Sequence, residues 1–134
     1  MLILFSPRFC RELKKLAKRT PDLPVEILRT LAAGKAGSLP GEITMALSKS
    51  RDSLLAKCRL GSKQRGTGKR GGFRAYFARS GEHLLMLEII SKAEISGLPA
   101  SRLQELARRC VEESFEALEE HWLTLEDFRS EFGV

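Results

Sequence analysis

The chain has 134 residues, 43% of them hydrophobic and 30% charged, with a formal net charge of +6. That length suits one domain with a sizeable core, and the apolar content excludes an intrinsically disordered chain, which has too little apolar surface to offset backbone entropy. No apolar run reaches the roughly 18 residues of a membrane-spanning helix, and Met1–Phe5 lacks the basic flank of a signal peptide and runs directly into Pro7 and Arg8.

Leu2–Phe5 has the character of a short buried strand. Ser6 is placed to cap a helix whose first turn accepts Pro7. Phe9, Leu13, Leu16 and Ala17 recur at helical spacing, and Arg8, Arg11, Lys14, Lys15 and Lys18 fill the remaining positions, so this helix is amphipathic and basic. Thr20-Pro21 ends it. Leu23–Ala33 reads as a second helix with Ile27, Leu28 and Leu31 as its apolar stripe and Gly34 as its stop. Residues 35–41 read as loop, and 42–49 fit a short helix or a strand equally well.

Leu54–Leu60 alternates. Leu54, Ala56, Cys58 and Leu60 share one face, and Leu55, Lys57 and Arg59 share the other. Gly61–Gly72 holds five glycines and four basic residues and reads as a loop. Phe73–Arg79 alternates again, with Phe73, Ala75 and Phe77 opposed to Arg74 and Tyr76. Ser80–His83 turns the chain into Leu84–Ser91, apolar on both parities as in a central strand. Three strands in series predict an antiparallel meander, joined by the first strand. From Ser101 the period is helical. Leu103, Leu106, Ala107, Cys110, Val111, Leu118 and Trp122 make one apolar stripe, and Glu112, Glu113, Glu116, Glu119 and Glu120 an acidic face. Thr124 and Asp127 have the spacing to cap a last short helix carrying Leu125, Phe128 and Phe132. Cys10, Cys58 and Cys110 are too few, too scattered and odd in number for a disulfide framework or a zinc site. They are expected as buried, reduced thiols of a cytoplasmic protein.

Charge is unevenly distributed. Residues 1–92 carry 19 Lys/Arg against 7 Asp/Glu, whereas residues 93–134 carry 4 against 10. Between Ser53 and Gly81 lie eight basic residues and no acidic one. A one-signed stretch of this length points to an anionic partner, most often a nucleic acid. Strand parity brings Lys57 and Arg59 together with Arg74 and Tyr76 on the side away from the apolar stripe, and Glu88 and Lys92 share a parity on the next strand. Such a surface can grip a scissile phosphate and stabilise the charge of a pentacoordinate transition state. A lysine among other cations can take the ribose 2′-hydroxyl proton, another cation can assist the leaving 5′ oxygen, and Tyr76 can stack on a base. His83 falls in a turn and His121 on the acidic segment, which disfavours a two-histidine nuclease. The lack of carboxylates over 53–81 disfavours a two-metal one. The same surface would equally bind RNA without cutting it.

Ser6-Pro7-Arg8-Phe9 with Leu13-Lys14-Lys15-Leu16, Lys57-Cys58-Arg59-Leu60, Gly68-Lys69-Arg70-Gly71-Gly72-Phe73-Arg74 and Ser91-Lys92-Ala93-Glu94-Ile95 stand in an order that resembles the RelE/HigB toxins of bacterial toxin–antitoxin modules, nearest the HigB-type branch. The resemblance covers residues 1–107, with 108–134 an acidic helical extension of the same domain. It implies an α+β fold with two N-terminal helices packed on a small antiparallel sheet, followed here by a C-terminal acidic helix. It also implies a metal-independent mRNA endoribonuclease without cofactor, usually acting in the ribosomal A site, and an antitoxin partner that covers the basic face. Carried over by position, Lys57 is the proton acceptor, Arg74 the phosphate clamp, and Arg59 and Lys92 stabilise the transition state or leaving group. Lys63, Arg65, Lys69 and Arg70 would bind backbone phosphates. The tyrosine that some relatives carry near the C-terminal end of the motif has no counterpart in Glu94–Leu106, which leaves Tyr76 for that role. The acidic segment is expected to pack its apolar stripe on the fold; alternatively its glutamates lie near the basic face and mimic RNA. A second reading shares every electrostatic feature, a relative that binds RNA or an antitoxin without cleaving; a third, a DNA-binding regulator, needs a recognition helix that the two N-terminal helices could imitate, whereas the densest cations lie on strands and loop.

Overall fold

The computed structural model describes residues 2–33, 42–48, 53–61, 72–81, 83–91, 99–113 and 115–134. The fold is α+β. Its elements in chain order are β1 (Leu2–Phe5), α1 (Pro7–Ala17), α2 (Leu23–Ala33), β2 (Glu42–Ser48), β3 (Ser53–Leu60), β4 (Phe73–Ser80), β5 (His83–Ser91), α3 (Ala100–Glu112), α4 (Phe115–Glu119), β6 (Leu123–Thr124) and α5 (Leu125–Phe132). The six strands form one sheet in the order β2-β3-β4-β5-β1-β6.

The expected meander is β3-β4-β5, antiparallel throughout. The sheet as a whole is mixed, which corrects the expectation of an antiparallel one. β1 runs parallel to β5, pairing Leu2 with His83 through Phe5 with Met86. A parallel neighbour needs a long crossover, and α1 through β4 supply it. The segment 42–49, open between helix and strand, gives an antiparallel edge strand with two register irregularities. His83, expected in a turn, instead opens β5 opposite Ser80. The tight connection between them uses Gly81 at φ +60°, a value that favours glycine.

Apolar layers cover both faces. On one, α1, α2 and α5 contribute Phe9, Leu13, Leu23, Ile27 and Phe128, which meet Ala56, Cys58, Leu60, Phe73, Ala75, Phe77, Met86 and Ile89. On the other, Leu103, Ala107, Cys110 and Val111 of α3, with Leu118, meet Leu4, Leu55, Ala78, Leu85 and Leu87. The apolar stripe read as one C-terminal helix is therefore divided. α3 stops at Glu112, Glu113 is extended, and α4 is a separate single turn. The chain then adds β6 to the free edge of β1 and turns into α5, whose capping box between Thr124 and Asp127 is present as expected.

α1 begins as its sequence requires. The Ser6 hydroxyl accepts from the Phe9 amide at 3.0 Å, and Pro7 occupies the first turn. Lys14 and Lys15 lie in the last turn, where the helix dipole favours positive charge.

Candidate nucleic-acid interface

The face covered by α3 continues past its apolar patch towards the ends of β3 and β4 that carry Leu60 and Phe73. There, Arg59 pairs directly with Arg74, and Lys57 with Tyr76. Because strand side chains alternate, both pairs share the face of Leu55 and Ala78. Arg59 is exposed, and Lys57, Arg74 and Tyr76 are half-buried. The sequence parity thus brings four of the expected site residues to one face. Lys63, Arg65, Lys69, Arg70 and Lys92 lie outside the described residues.

Two guanidiniums directly opposite each other across neighbouring strands repel. Neither has a carboxylate partner among the described residues. An arrangement of this kind is relieved by an anion with oxygens for both forks, and a phosphodiester has that shape.

The third strand holds a carboxylate in the same row. Tyr76 pairs with Glu88, but the next pair is Phe77 with Met86, so Leu87 is an extra residue in β5. Strict alternation from Leu84 and Met86 would send Glu88 into the core beneath α1. The bulge turns it to the face of Tyr76 and Lys57 instead, which is what such insertions do to a side chain. Glu88 is buried, its side chain 2% exposed, and Oε1 accepts from Arg8 Nη2 at 2.8 Å and Nε at 3.0 Å. Ser6 ties the same place together. Its amide donates to the Met86 carbonyl and its hydroxyl to the Leu87 carbonyl, at 3.0 and 2.9 Å. The helix start and the bulge are therefore one hydrogen-bonded unit.

Arg8 is the residue that sequence reasoning left out of the site, as one more cation of a basic helix. The available signal was Glu88 itself, a lone carboxylate in the apolar run 84–90, because a buried charge requires a partner.

Other features carry less. A groove of about 670 Å³ between α1 and α5 is lined by Pro7, Cys10, Lys14 and Glu131 among others, on the opposite side of the sheet. Lys14 is ion-paired with Glu131 there, and this contact holds its ammonium above its ordinary pKa. The three cysteines are free and buried, and burial pushes each thiol up to about 11. Among the described residues no group of three His, Cys, Asp or Glu side chains is placed to hold a metal ion, and no helix is long and apolar enough to cross a membrane. Comparison with protein-family models, curated proteins and solved structures returns no match.

Proposed function

We propose that this chain is the toxin of a type II toxin–antitoxin module, an mRNA endoribonuclease of the RelE/HigB type that works without a metal in the bacterial cytoplasm. The observation that carries the reading is the opposition of Arg59 and Arg74 on one sheet face, with Lys57 and Tyr76 in the adjacent row. In this proposal Arg74 grips the scissile phosphate and Arg59 stabilises the charge that grows on its oxygens. Lys57 takes the proton of the ribose 2′-hydroxyl, whose oxygen attacks phosphorus. The bond to the 5′ oxygen breaks, and Lys92 gives that oxygen the proton that makes it a hydroxyl. The products are a 2′,3′-cyclic phosphate and a free 5′-hydroxyl. Tyr76 stacks on a neighbouring base, and Lys63, Arg65, Lys69 and Arg70 hold the flanking backbone. The cognate antitoxin covers the same basic face.

The test is mapping of mRNA 5′ ends in a translating extract given wild-type or Arg74→Ala protein, with circular dichroism to establish that both are folded. The proposal expects breaks that occur with the wild type and vanish with the variant. Identical 5′-end profiles with wild type, variant and no protein would overturn cleavage. The reading left would then be a relative that binds RNA or antitoxin without cutting.

A further inference from the structure

We infer that Arg8, held by Glu88, is a further phosphate-binding residue of this face, supplied by the first turn of α1. The inference rests on the RNA-binding reading and extends it by one side chain. Lys57, Tyr76 and Glu88 are consecutive in-register partners across β3, β4 and β5, and adjacent strands lie about 4.8 Å apart. The Arg8 guanidinium, 2.8 Å from Glu88, extends this row past β5.

The pair is asymmetric in exposure. The Glu88 side chain is 2% exposed and that of Arg8 33%. Only Nε and Nη2 of Arg8 bond to Glu88, and both to Oε1. A guanidinium has five N–H donors, so three point elsewhere, and no described residue accepts from them. The carboxylate thus acts as a buried anchor, and the guanidinium it holds stays partly exposed to solvent. A salt bridge serving stability alone does not need the Leu87 bulge, which costs ladder pairing and turns Glu88 out of the core. Glu88 is accordingly a positioning residue, and Arg8 the group that meets the ligand.

The measurement is binding of a 2′-O-methylated oligoribonucleotide, which resists cleavage, by fluorescence anisotropy over a salt series. Arg8→Met combined with Glu88→Gln removes both charges of the pair and leaves the net charge unchanged. The expected result is about tenfold weaker binding and a slope of log K against log salt shallower by about 0.7, the loss of one phosphate contact on a single strand. Arg8→Lys keeps the charge beside Glu88 but lacks the second arm of the fork. It is expected to weaken binding in the same direction, which keeps the test decisive should the double variant fail to fold. Wild-type affinity and slope in whichever of these variants folds, alongside a clear loss in Arg74→Ala, would overturn the inference alone. Unchanged binding in Arg74→Ala as well would overturn the RNA-binding reading beneath it.

Discussion

At the scale of single residues, the site stores unfavourable energy that a ligand can release. Arg59 and Arg74 are opposite each other in register with no carboxylate partner among the described residues, and like charges directly opposite destabilise a sheet by up to about 1 kcal/mol. Arg74→Ala is therefore expected to raise stability by about 0.5 kcal/mol while abolishing the proposed cleavage, with the urea midpoint and the 5′-end map as the two readouts. Stabilisation combined with lost activity is the usual signature of a functional position. Arg8 behaves in the opposite way. Removing it takes the guanidinium away from the buried Glu88 carboxylate, which costs about 3 kcal/mol for a fully buried pair. The partial exposure of Arg8 reduces the expected cost of Arg8→Ala to about 2 kcal/mol, measured by urea unfolding.

At the scale of elements, the C-terminal pieces are part of the core. Phe128 of α5 stacks on Phe5 of β1, with ring centroids 4.1 Å apart and planes 15° from parallel, and both rings are fully buried. Phe128→Ala should cost about 3–5 kcal/mol, and Thr124→Ala, which breaks the capping box, about 1 kcal/mol; thermal unfolding followed by circular dichroism checks both. Much at this scale was legible in the sequence, because it is decided locally. Ser6-Pro7 fixed the start of α1, Leu23–Ala33 showed its helical stripe, and strict alternation in 54–60 and 73–79 assigned Lys57, Arg59, Arg74 and Tyr76 to a common face. What stayed hidden depends on distant partners. The parallel pairing of β1, the two-residue β6 and the division between α3 and α4 follow from how the sheet is assembled, for which no local period gives a sign. The Leu87 bulge is equally silent, since no local period marks where the ladder between β4 and β5 shifts by one residue. Arg8 was missed because its carboxylate partner lies 80 positions further along the chain, and no local pattern joins the first turn of α1 to β5.

At the scale of the whole molecule, acid–base behaviour ties the two apolar layers together. Cys10 and Cys58 belong to one layer and Cys110 to the other. Burial raises each thiol from 9.0 to about 11. Between those values the folded chain holds protons that the unfolded chain has released, so stability falls as pH rises. The contribution is fully present below about pH 9 and is lost as pH rises towards 11. Urea midpoints measured across that window should decline, and replacing Cys58 with alanine should flatten part of the decline. The same burial protects the thiols, so alkylation at pH 8 should be slow in the native protein and rapid in urea.

β1 lies between β5 and β6. β1 thus emerges from a ribosome long before β6 and waits for this neighbour until residue 124 has been made. Until Phe128 emerges, Phe5 lacks the ring that covers it, and one margin of the sheet stays unpaired. A nascent chain stalled short of residue 123 would present that margin to chaperones and proteases, so the finished sheet marks synthesis past residue 124.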